Sequence, residues 1–77
     1  MKVLEQATQR RSGYNTSEFY VGILIELTDE EMKKSADIKA RCKAYLTRKG
    51  FNIVRFNSFS YQGNNQTVAT FVTDKAL

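Results

Sequence analysis

One stretch limits the fold more than any other, because Thr28–Gly50 carries both the start and the stop signals of a long helix. Thr28 suits the cap position. Glu31, three residues on, completes a capping box in which each side chain accepts a hydrogen bond from the other residue's backbone N–H. Asp29, Glu30 and Glu31 put negative charge where the helix dipole favours it, and Arg48 and Lys49 put positive charge at the other end. Gly50 stands at the left-handed position just past the last turn, followed by the apolar Phe51. These signals predict a helix from about Asp29 to Lys49. On a helical wheel Met32, Ser35, Ile38, Cys42, Tyr45 and Leu46 share one face, the expected core stripe. In a chain of 77 residues such a helix leaves room for one small domain and needs a second layer to cover that stripe.

The second layer reads as a sheet. Alternate positions of Glu18–Leu27 hold Phe19, Val21, Ile23, Ile25 and Leu27, a wholly apolar face, while Tyr20, Gly22, Leu24 and Glu26 take the other. Phe51–Tyr61 is rich in aromatic and β-branched residues, and its alternation breaks near Ile53 and Val54, which marks a bulge. Gln62-Gly63-Asn64-Asn65 signals a turn and Thr67–Thr73 a strand, so the two strands make a hairpin. Lys2–Thr8 is a weaker strand, joined to the next by the polar segment Gln9–Ser17, which reads as a mobile basic loop. The expectation is a single small α+β domain over residues 1–77. Its mostly antiparallel sheet is ordered β-β-α-β-β, or β-α-β-β if the first segment is loose, with one long helix packed on one face.

Composition narrows the chemistry. Hydrophobic residues make up 42% and charged residues 26%, which is globular usage. Phe19–Leu27, the longest apolar stretch, is interrupted by Glu26 and falls short of the ~18 residues of a membrane span, and no apolar leader follows Met1. The absence of histidine removes the commonest general base and metal ligand. Cys42 is the only cysteine, so neither an intrachain disulfide nor a cysteine zinc site can form, and a lone thiol points to the cytoplasm. Glu18 and Glu26 would lie ~26 Å apart along one strand, too far to work as an acid–base pair. The expectation is a chain that is not an enzyme and takes no cofactor, metal or membrane. Proline is also absent, which leaves sheet edges without one of their usual blocking residues.

The remaining features concern association. A helix covers one sheet face, yet the second is also apolar: Tyr20 and Leu24 would meet either Val68 and Val72 or Ala69 and Phe71. Such a face predicts a homodimer or a standing protein partner; the alternative is that the N-terminal segment folds over it. Ala36, Ala40 and Ala44 form a row of small residues opposite the core stripe, either a docking surface or simple helix propensity. Lys34, Arg41 and Arg48 recur at seven-residue spacing, with Lys39 and Lys43 on the other edge of the core face. With Arg10, Arg11 and Tyr14 as a loop arm, they could hold phosphates. The plainer reading is a solvated face, with Asp37 in reach of Lys34 and Arg41. Phe51, Phe56, Phe59 and Tyr61, near Arg55, either stack on bases or fill the core. Cys42 falls in the stripe as an inert buried thiol.

A compact, proline-free and histidine-free chain with apolar surface and no catalytic group resembles, in type, the small inhibitors of phages and mobile elements. The expected function is a non-enzymatic protein-binding module of inhibitor or regulator type that occupies a surface of a larger partner. The alternative is a small nucleic-acid-binding regulator using the basic helix stripe.

Overall fold

The computed structural model describes residues 1–6, 10–11 and 18–74. Strands β1 (Lys2–Gln6), β2 (Arg10–Arg11) and β3 (Phe19–Glu26) precede helix α1 (Ser35–Arg48), and β4 (Ile53–Gly63) and β5 (Gln66–Thr73) follow it. All pairings are antiparallel and the sheet order is β1-β3-β5-β4. β5 pairs β3 along its full length, so β2 shares the opposite edge of β3 with β1. Because β3 and β4 both oppose β5, they run parallel, and α1 carries the chain across β5 between them. The fold is α+β, with an extra two-residue strand in the expected order.

That strand corrects one expectation. The backbone of Arg10 and Arg11 does not belong to a loop: it pairs with Tyr20 and Phe19. The edge of β3 left open beyond β1 is the physical reason, since its N–H and C=O groups need partners. The rest of the expected basic loop, Tyr14 included, lies outside the described residues. The described residues of the N-terminal segment, Lys2–Gln6 and Arg10–Arg11, add to the sheet in its plane as edge strands.

The helix is also corrected at its start. The capping box forms: the Thr28 N–H donates to Glu31 Oε1 at 3.0 Å and the Glu31 N–H to Thr28 Oγ1 at 3.2 Å. Yet it opens a single 3-10 turn, Glu31–Lys33, and Lys34 (φ −118°, ψ 59°) breaks the helical path before α1 begins. The Glu31 carboxylate also receives the Met1 ammonium and, at 3.3 Å, the Arg41 guanidinium. These ties accompany a first turn that stands out of line with α1. Met32 and Ser35 are therefore exposed instead of joining the core stripe, while Ile38, Cys42 and Leu46 are buried and Tyr45 is half-buried. The C-terminus follows expectation. Gly50 takes φ +102°, its N–H donates to Thr47 O and that of Phe51 to Leu46 O, and buried Phe51 and Leu46 complete this hydrogen-bonded cap.

The core lies between α1 and the sheet. Val21, Ile23 and Ile25 of β3 and Ala69 and Phe71 of β5 meet Ile38, Cys42 and Leu46. β4 joins with an unusual period: Ile53, Phe56 and Phe59, three residues apart, stand opposite Thr73, Phe71 and Ala69, two apart. Register shifts at Ile53/Arg55 and Phe56/Ser58 absorb the difference, and a third follows at Tyr61/Gly63; only the first was expected. The extra residues let Phe56 pack on Phe59 (4.8 Å between ring centroids) and edge-on against Phe71 (5.4 Å). Asn64 (φ 55°) and Asn65 (φ 60°) turn the β4–β5 hairpin in the left-handed region.

Candidate functional site

The sheet face away from α1 is built in cross-strand rows. Tyr20 opposes Val72, which opposes Arg55; Leu24 opposes Val68, which opposes Ser60. The face therefore uses the Val68/Val72 pair, while Ala69 and Phe71 go to the core. Tyr20, Leu24 and Val68 are half-buried; Val72 is fully buried yet outside the core cluster. No other described element packs across this face. Leu4 and Val54 are exposed at the register shifts of β1 and β4. Lys2 opposes Glu26, and Arg55 pairs with Glu18 at 2.8 Å. That contact holds the Glu18 carboxyl below its usual range and raises the Arg55 guanidinium.

The cations anticipated as a phosphate-binding stripe are not one unit. Lys34 sits at the break before α1. Arg41 lies between Asp37 (3.2 Å) and Glu31 (3.3 Å), and Arg48 is exposed in the last turn. Only Asp37–Arg41, of the two helical pairs in reach, forms an ion pair. Of Arg10 and Arg11 only the backbone is described, beside the first residues of β3. Ala36, Ala40 and Ala44 are all exposed on the outward face of α1, as expected. The aromatic–basic group on β4 divides between faces: Phe56 and Phe59 turn toward α1, Arg55 turns away with Val72, and Phe51 is buried. Lys39 Nζ instead lies 4.6 Å from the centroid of the Phe56 ring. Burial pushes the Cys42 thiol up to about 11.

Sequence reasoning missed a groove between the first turns of the helical segment and the end of β4. Leu27, Glu31, Met32, Ser35, Ile38, Phe59, Tyr61 and Thr67 line about 220 Å³. Met32 (39% exposed) and Tyr61 (59%) form its lips. The signal was Met32 itself, an apolar residue on the expected core stripe that the break at Lys34 leaves outside the core. The hairpin tip fixes the groove's end: the Leu27 N–H donates to Asn65 O at 2.8 Å, and Asn65 Nδ2 donates to Asp29 Oδ1 at 3.0 Å.

Among the described residues no cluster of three or more His, Cys, Asp or Glu side chains is placed to hold a metal ion. No helix among them is long and apolar enough to cross a membrane. Comparison with known proteins finds no matching family model, no matching curated sequence and no matching solved structure.

Proposed function

We propose that this chain is a non-enzymatic protein-binding module that works as a homodimer and occupies a surface of a larger macromolecular partner, as an inhibitor does. The observation that carries this reading is the apolar centre of the outer sheet face, where half-buried Tyr20, Leu24 and Val68 leave apolar surface beside the fully buried Val72, paired directly across β3 and β5. A second copy suits it because a two-fold interface must be self-complementary. Here an apolar centre is bordered by both signs of charge, Lys2, Glu5, Glu26 and the Arg55–Glu18 pair. The cytoplasm is the compartment we assign, from the single buried thiol. The nucleic-acid reading has less support, since Arg41 already serves two carboxylates and Lys34 has left the helix.

Light scattering across a concentration series tests the dimer. The wild-type chain should approach twice the monomer mass, and Leu24→Lys should return it to the monomer with its circular dichroism unchanged. A wild-type chain that stays monomeric at the highest concentration overturns the homodimer.

A further inference from the structure

We infer that the groove between α1 and β4 is the docking site for an acidic segment of a partner protein that carries one large apolar anchor residue. This rests on the protein-binding reading and assigns its site and ligand chemistry.

Geometry leaves the groove open. A helix is about 10 Å across and strands are about 4.8 Å apart, so α1 can roof only about two of the strands beneath it. On the β1 side Met1 and Val3 fill the flank against the core. On the β4 side Phe56 and Phe59 remain half-buried and Tyr61 exposed. Two of the four exposed large hydrophobic residues among those described, Met32 and Tyr61, stand at this one place.

The size selects a side chain. A volume of about 220 Å³ falls below the ~300–1,000 Å³ of small-molecule and cofactor pockets. Leu27, Ile38 and Phe59 offer apolar contact, and a buried anchor of this kind commonly dominates the energy of a protein interface.

The charge selects an acidic sequence around the anchor. Ser35, Lys39 and Lys43 follow one another at i, i+4 spacing, so they share one row of α1, and Lys39 reaches the Phe56 ring on β4. The only carboxylate of α1, Asp37, is engaged by Arg41, and β4 contains none. Glu31 lines the groove, but its charge is taken by the Met1 ammonium and Arg41. Lys39 and Lys43 thus have no carboxylate partner among the described residues, and an acidic segment laid along the row would supply one. A nucleic acid fits less well. The Phe56 and Phe59 rings are tilted 56° onto each other, so they do not offer parallel faces for bases.

The test uses a short fluorescein-labelled peptide of Asp, Glu and Ser around one central Phe, its Phe→Ser counterpart, and a labelled oligothymidylate of equal charge. Anisotropy is read against wild type, Ser35→Trp, Lys39→Glu/Lys43→Glu and Leu24→Lys, each checked for fold by circular dichroism. The Phe peptide should bind. Losing its Phe, or filling the groove with Ser35→Trp, should weaken binding about tenfold or more. The double Lys→Glu change should weaken it similarly and flatten its salt dependence. Equal binding of the two peptides, no binding of either by folded protein, or tighter binding of the oligothymidylate overturns the inference. Leu24→Lys should be monomeric and still bind the peptide, which keeps the two proposals apart. A wild-type chain that is monomeric yet binds the peptide sinks only the homodimer, and a wild-type dimer that fails to bind it sinks only the groove.

Discussion

Asn64 and Asn65 offer a direct test of the conformational argument, because both hold the left-handed region but only one makes a further contact. Both have positive φ, 55° and 60°. An alanine there brings Cβ against the following carbonyl at roughly 1–2 kcal/mol, a penalty that asparagine partly escapes. Asn64→Ala should therefore cost about 1 kcal/mol. Asn65→Ala should cost the same and also lose the Nδ2 hydrogen bond to Asp29. That bond is exposed, so it adds about 0.5 kcal/mol, the low end for a net hydrogen bond. Asn65→Gly removes the strain and keeps the backbone contact from Leu27. It loses only the side-chain bond, which the gain in turn geometry offsets, so stability should stay within about 0.5 kcal/mol of wild type. A domain of this length has about 4–12 kcal/mol in total, and 1 kcal/mol moves Tm by about 4–8 °C. Urea denaturation by circular dichroism resolves these steps if the m-value is unchanged. The expected order is wild type near Asn65→Gly, then Asn64→Ala, then Asn65→Ala. If Asn65→Gly falls as far as Asn65→Ala, the backbone argument is wrong and the side-chain bond holds the turn.

Phe71→Ala, which empties a fully buried position between Val21 and Phe56, should cost about 3–5 kcal/mol; a loss under about 1 kcal/mol in the same urea assay would place the core elsewhere. Glu31 is held down to about 2, first by the N-terminal ammonium and then by the Thr28 N–H. Its folded value lies below the ordinary 4.5, so its contribution is complete above that value and is lost as pH falls toward 2. Glu31→Gln should flatten the acid limb of stability against pH, and an unchanged limb would show that the contact does not form in solution. Cys42, with its thiol raised to about 11 and no exposed surface, should react with a disulfide reagent at pH 8 only at the rate of opening, and at once in urea; fast reaction of the folded chain contradicts its burial.

Much of the architecture was legible because local signals and patterning agreed. The odd residues of β3 face α1 as their alternation implied, and Gly50 and Phe51 close α1 as their types implied. Two things were not legible. The start of the helix depended on what else Glu31 would bind: its capping box formed, but long-range contacts with Met1 and Arg41 accompany a turn set out of line at Lys34. β4 depended on its neighbour. Ile53, Phe56 and Phe59 recur every third residue, a spacing that suits neither a simple strand nor a regular helix; the break near Ile53 showed the first bulge, but only pairing with β5 reveals the second, at Phe56/Ser58, that completes the reconciliation.

The same distinction governs the candidate sites. Seven-residue spacing could suggest that Lys34, Arg41 and Arg48 form a stripe, but it could not say which charges would already be spent. Arg41 at the middle of that stripe is engaged by Asp37 and Glu31, which interrupts it, whereas the neighbouring Lys39 and Lys43 both keep their charge. The uninterrupted pair of cations that can recruit a partner therefore lies on the β4 side of α1, where Lys39 meets the Phe56 ring. There the first two bulges place Phe56, Phe59 and Tyr61 on the helix-facing side of the sheet. Arg41→Ala should accordingly disturb the Glu31 network more than it disturbs binding, whereas Lys39→Glu/Lys43→Glu should leave folding intact and weaken recruitment about tenfold or more. If Arg41→Ala alone removes binding of the acidic peptide at unchanged Tm, the paired charges rather than the unpaired ones recruit the partner, and the assignment of the β4 side is wrong.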